Sequence, residues 1–193
     1  MADIWLMRHA AYEGHRPGYH APPNAALTPE GHDQIRHALP LPDGITGIVT
    51  SPLLRARQTA EALRSLTGLP IVATTDLLAE WHAPTAVHGH TPDTYPPAYR
   101  TWRTHRTTYP DLAYEDGESL TTLHTRATHC AHYLRGLTEQ RQGPVLAISH
   151  KLLLGVLLRL PQGPASFEAT VHTPWPFATV KFLPRPSCDG AQR

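Results

Sequence analysis

Charge is scarce in this chain, and long apolar runs are absent. Charged residues fill 17% of the 193 positions and the formal net charge is +1, so the general attraction of a basic protein for nucleic acid or anionic membrane is missing. Any anion it binds must be met by a local cluster. No apolar stretch approaches the roughly 20 residues that span a bilayer. Met1-Ala2-Asp3 leads straight into an apolar segment without a signal-peptide pattern. A soluble, cytoplasmic protein is expected, with neither a membrane nor a nucleic-acid polymer as partner. Cysteine is almost absent, and Cys130 and Cys188 lack the spacing of a zinc site; both read as free thiols in a reducing compartment. Histidine (14) and proline (20) are abundant, but a compositional bias explains the totals as well as chemistry does. His88 with His90, and His129 with His132, could ligate a metal only with a further ligand that the spacing does not supply, so they read as surface histidines and no metal is expected.

The chain is organised around Ile4-Trp5-Leu6-Met7-Arg8-His9, an apolar run that ends abruptly in a cation and an imidazole. Such a run predicts a strand buried on both faces in the middle of a parallel sheet, with Arg8 and His9 at its carboxyl end, where open α/β sheets bind ligands. Residues 10–26 are too rich in glycine and proline for a helix and form the rim of that crevice. Thr28 and Pro29 open a helix as N-cap and first residue. Gly47–Thr50 predicts a second strand, after which Ser51 and Pro52 start a helix carrying Arg55 and Arg57 in its opening turns. Leu69–Ala73 predicts a third strand, followed by Glu80.

Residues 82–116 show little aliphatic periodicity and read as a lid inserted over the site. Within the lid Arg100, Arg103 and Arg106 would share a face of a helix, either solvated or turned to substrate. Trp81, Tyr95, Tyr99 and Trp102 either stack on a planar substrate or form the lid's own small core. Ser119 caps a helix running to about Leu137, Val145–Ile148 predicts a fourth strand ending in Ser149-His150-Lys151, and Leu152–Leu160 a deeply packed helix stopped by Pro161. Residues 178–183 alternate as an edge strand does. The expectation is a three-layer αβα sandwich with a mainly parallel sheet, an antiparallel edge strand and a lid, in a single domain over residues 1–183 with a C-terminal tail at 184–193.

Separate strand ends thus deliver Arg8, His9, Arg55, Glu80 and His150 to one crevice. Guanidinium groups bind phosphate oxygens, imidazole can attack phosphorus and a carboxylic acid can protonate a leaving oxygen, so these residue types point to phosphoryl transfer without an obligatory metal. Arg8-His9-Ala10, Leu27-Thr28-Pro29-Glu30-Gly31, the run from Thr50 to Ala60, Glu80, Gly117-Glu118-Ser119 and Ser149-His150, in that order, make the chain resemble the histidine phosphatase superfamily over nearly its whole length.

The resemblance implies that His9 is the nucleophile and forms a phosphohistidine. It also implies that Arg8, Arg55 and His150 hold the phosphoryl group and that Glu80 is the general acid and base. It calls for no cofactor. A metal-independent phosphatase acting on a small organic phosphate, such as a sugar phosphate or nucleotide, is the expected activity, with Trp81, Tyr99, Trp102 and Arg103 as candidate lid contacts to substrate. A phosphoglycerate-type mutase, a protein-phosphohistidine phosphatase and a non-catalytic module that binds a phosphorylated ligand are the alternatives. The chain departs from the family in the first loop: Ala10 replaces a glycine, Ala11 a common glutamate, and Tyr12–Tyr19 contains no asparagine. His15, Arg16 or a lid residue is expected to stand in.

Overall fold

Ile4–Arg8 (β1) pairs in parallel with Val145–Ser149 (β4) and in antiparallel fashion with Val180–Phe182 (β5). With Gly47–Thr50 (β2) and Ile71–Thr74 (β3) these strands form a five-stranded sheet of order β3-β2-β4-β1-β5. The computed structural model describes residues 2–22 and 24–185; Cys188 and nearly all of the expected tail lie outside the described residues. The helices are Pro29–His37 (α1), Leu54–Thr67 (α2), Pro97–His105 (α3), Leu120–Arg141 (α4), Lys151–Leu157 (α5) and Ser166–His172 (α6).

Strand alternation divides the core in two. Met7, Ile48, Leu146 and Ile148 pack against Ile35 of α1 and Ala56, Ala60 and Leu63 of α2. Ile4, Leu6, Val49, Val145 and Ala147 face the other way, onto Leu123, Ala127 and Leu134 of α4 and Leu154 and Leu157 of α5. The three-layer arrangement, the mainly parallel sheet and the antiparallel edge strand are as expected. It is β4, however, that occupies the centre, while β1 has a parallel neighbour on one side only. Among the described residues no helix is long and apolar enough to cross a membrane.

Local differences have local causes. Thr28 caps α1 as expected, accepting from the Gly31 N–H at 3.1 Å. Ser51 does not cap α2: the helix starts at Leu54 behind Leu53, and the Ser51 hydroxyl accepts from the Leu53 N–H at 3.3 Å while also bonding His150. The third strand begins at Ile71, two positions later than expected, because Pro70 has no N–H and joins the sheet only through its carbonyl, which accepts from Ile48 at 2.8 Å. The fourth helix continues to Arg141 and ends where Gln142 turns left-handed at φ 51°. The helix after β4 stops at Leu157, and a tight turn over Leu160–Ala165 holding Pro161 and Pro164 leads into α6, which periodicity did not announce.

Gly31 is needed for close approach. A Cβ there would stand 2.2 Å from the Ala11 carbonyl oxygen, so only glycine lets the first loop lie along α1.

Candidate active site

Parallel pairing places the carboxyl ends of β1, β2 and β4 along one edge, and the ladder continues one residue past β1 and β2. The His9 N–H donates to the Ser149 carbonyl at 2.9 Å and the Ser51 N–H to the Ile148 carbonyl at 3.0 Å. His9 and His150 are therefore neighbours by register, and their ring centroids lie 4.9 Å apart. The loop behind His9 is clamped from α1 and α2: the Ala10 N–H donates to Thr59 Oγ1 at 3.1 Å and the Ala11 N–H to Gln34 Oε1 at 2.9 Å. Thr59 and Gln58 belong to the Thr50–Ala60 motif, and their work is to fasten this loop, Gln58 by accepting from the Leu27 N–H at 2.8 Å.

The histidine tautomer follows from its neighbours. His9 Nδ1 lies 2.8 Å from the Ala10 carbonyl, which can only accept, so the proton is on Nδ1. Burial first, then the Arg55 charge, hold His9 well below the usual imidazole range. Nε2 thus carries a lone pair, and the Arg55 Nε–H points at it from 3.2 Å. Arg55 is 3% exposed yet has no carboxylate partner among the described residues; its guanidinium also donates to the Pro22 carbonyl at 3.0 Å and lies over the Tyr12 ring at 5.2 Å. A buried cation without a counter-ion is costly unless an anionic ligand supplies the charge. Arg57, in contrast, is exposed. Arg8 reaches the Trp175 carbonyl at 2.5 Å, and its Nε is buried without a partner among the described residues. His150 Nε2 bonds the Ser51 hydroxyl at 2.8 Å, and its Nδ1 is likewise buried and unpartnered.

Glu80 faces the amino end of α5. Its Oε1 accepts from the N–H groups of Trp81 and Leu153 at 3.0 and 3.1 Å, and its Oε2 from Leu152 at 3.3 Å. The loop that carries it is held by Arg126, whose guanidinium donates to the carbonyls of Leu77 (3.3 Å), Ala79 (2.7 Å) and Glu80 (3.4 Å) and pairs bidentately with Glu118 at 2.7 and 2.8 Å. The Glu118 N–H and carbonyl also bracket the backbone of His82 and the indole of Trp81. Sequence reasoning passed over Arg126. Its only signal was a charge flanking the apolar stripe of α4, beside Leu123 and Ala127.

The lid contains no strand, as expected, but its aromatic residues turn inward. Trp81 (4% exposed), Tyr95 (6%) and Tyr99 (1%) are buried in the core cluster on the α4–α5 side of the sheet, and Trp102, partly buried against it, stacks on Tyr99 at 5.4 Å, so of the two readings of Trp81, Tyr99 and Trp102 the packing favours the core over substrate contact. The lid arginines do not share one environment: Arg100 is exposed, Arg103 lies over the Tyr95 ring at 5.3 Å, and Arg106 is buried in an ion pair with Glu168 at 2.5 Å. A 300° turn over each three-residue step moves such a series round the helix. The lid is fastened to the first loop where the Tyr95 hydroxyl donates to the Gly18 carbonyl at 3.2 Å. In that loop Arg16 is exposed, while His15 Nδ1 bonds the Tyr12 hydroxyl at 3.0 Å beside His9.

Buried neutral histidines make stability depend on pH. Burial holds His9 and His150 well below pH 6.5, and burial with His88, Arg103 and Arg106 pushes His20 down to about 4. The unfolded chain takes up protons near pH 6.5 and the folded chain does not, so stability present above that value is lost as pH falls toward the folded values. Between pH 7.5 and 5.5 each such histidine is expected to cost about 1.4 kcal/mol. Urea denaturation at the two pH values checks this, and His20→Asn should remove one histidine's share.

A family profile described as the histidine phosphatase superfamily (branch 1) matches residues 4–175. Among solved structures, YhfR from Bacillus stearothermophilus is 21% identical, with 94% of this chain and 90% of that chain covered and a TM-score of 0.74. A phosphoserine phosphatase mutant from Entamoeba histolytica is 19% identical, with 94% and 90% covered and a TM-score of 0.72. A mycobacterial glucosyl-3-phosphoglycerate phosphatase is 21% identical, with 94% and 89% covered and a TM-score of 0.68. No curated protein matches significantly. At these identities the structural likeness establishes the fold, and the profile match over residues 4–175 shows that the chain belongs to the histidine phosphatase superfamily (branch 1).

Proposed function

We propose that the protein is a phosphomonoesterase that passes the phosphoryl group of a small organic phosphate through His9. The observation that carries this reading is the His9 ring itself: Nδ1–H is tied to the Ala10 carbonyl, and the Nε2 lone pair faces the Arg55 guanidinium, both side chains being buried. Arg8, Arg55 and His150 bind the phosphoryl oxygens and counter the charge that spreads over them in the transition state. His9 Nε2 attacks phosphorus, the phosphorus–oxygen ester bond breaks, and the departing oxygen takes a proton from Glu80. In the second step Glu80 accepts a proton from water, whose oxygen attacks phosphorus. The nitrogen–phosphorus bond then breaks, and its electron pair returns to Nε2 as inorganic phosphate leaves.

Oε2 is the Glu80 oxygen that handles the proton, since its one contact, 3.3 Å to Leu152, is the longest the carboxylate makes. A lid segment fastened to the first loop at Tyr95 and Gly18, together with a nucleophile only 3% exposed, supports a small substrate over a protein. No metal is needed, because the cationic side chains already present supply the charge stabilisation.

The test is phosphate release from a panel of sugar phosphates, nucleotides and simple esters with a chelator present. Turnover that the chelator leaves intact is expected. Turnover that needs an added divalent metal, or isomerisation of a phosphorylated acid without net release, would overturn the reading.

A further inference from the structure

The arginines around the site differ in what holds them. Arg106 and Arg126 are tied to carboxylates, Glu168 and Glu118, which neutralise them. Arg8 has no carboxylate partner among the described residues: it donates to the Trp175 carbonyl and stands on the ring of Phe177, with Cζ 3.8 Å from the ring centroid. A carboxylate would compete with a bound phosphate, whereas a π face orients a guanidinium and leaves its charge uncompensated.

The turn that presents Phe177 is held at several points. The Trp175 indole N–H donates to the Thr179 carbonyl at 3.0 Å, Ala178 is held left-handed at φ 53°, and the Ala178 N–H donates back to the Arg8 carbonyl at 3.0 Å. A non-glycine residue in that conformation is strained, and such strain persists only where its surroundings over-determine it. The Phe177 ring also lies 5.7 Å from the His9 ring and 5.0 Å from the His15 ring, so it walls the nucleophile's pocket. It lies beyond residue 175, where the family match ends.

We propose that Phe177 is a positioning residue for Arg8, holding the guanidinium plane so that its unpartnered Nε and free N–H groups stay aimed at the phosphoryl group. The inference rests on the phosphatase reading for its catalytic meaning, but it is tested by binding alone. Leucine keeps an apolar side chain without a π face, and tyrosine keeps the face. In titration calorimetry with inorganic phosphate, Phe177→Leu is expected to weaken binding about tenfold and Phe177→Tyr by no more than about twofold. In an Arg8→Gln background Phe177→Leu should change nothing further. Phe177→Met repeats the comparison if the leucine variant does not fold.

Wild-type affinity in the leucine variant, equal losses with tyrosine and leucine, or an undiminished effect without Arg8 would each overturn the proposal. Phosphate binding with these ratios, in a protein that hydrolyses no ester, would sink the phosphatase reading and uphold the role of Phe177.

Discussion

His9→Ala is expected to lower kcat for phosphate release by about 10⁴-fold or more while leaving inorganic phosphate bound nearly as well as before. The split follows from the division of labour in the pocket. The alanine variant loses the nitrogen lone pair directed at Arg55, but Arg8, Arg55 and His150 remain to hold the anion. Acid-labile, base-stable phosphate should be trapped on the wild-type chain by rapid quenching and be absent from the variant. If the variant keeps more than about 1% of wild-type turnover, attack does not come from His9.

Arg126→Ala is expected to destabilise the fold by about 3–5 kcal/mol, although Arg126 touches neither His9 nor Arg55. The change leaves the Glu118 carboxylate, 9% exposed, with only the His82 N–H at 3.3 Å, and it strips donors from the carbonyls of Leu77, Ala79 and Glu80. Denaturant unfolding of Arg126→Ala, Glu118→Ala and the double variant checks it: the double variant should lose much less than the sum, since no charge is then left unpaired. Folded Arg126→Ala should also lose more rate with alkyl phosphates than with p-nitrophenyl phosphate, because a poor leaving group depends most on a well-placed Glu80. Equal losses on both esters would mean that Arg126 supports the fold without aiming the acid.

Much of this was legible in the amino-acid order. Apolar runs ending in Arg8-His9 and Ser149-His150 announced buried strands with polar carboxyl ends, because a strand with both faces covered must be apolar until it leaves the sheet. Thr28 and Ser119 were legible as caps, since capping is decided within a few residues. The start of the second helix differs from the local pattern because Ser51 serves His150 across the sheet, while the boundaries at Pro70 and Leu157 shift for local reasons, a proline without an N–H and a proline-bearing turn. The aromatic lid residues could not be assigned from spacing, because a ring that packs in a core and a ring that stacks on a ligand have the same chemistry and differ only in what surrounds them.

The order of apolar and polar residues was enough for the layered α/β fold and the residue types gathered at one sheet edge, because periodicity and strand-end position are local properties of the chain. Tertiary structure alone decided the tautomer of His9, the carboxylate-free anchoring of Arg8 and Arg55, and the bracket of Glu118 and Arg126 around the Glu80 loop. The tautomer depends on the backbone conformation that turns the adjacent Ala10 carbonyl onto Nδ1, and the anchoring and the bracket depend on atoms supplied from far along the chain, such as the Phe177 ring under Arg8. No pattern in nearby residues encodes that distance.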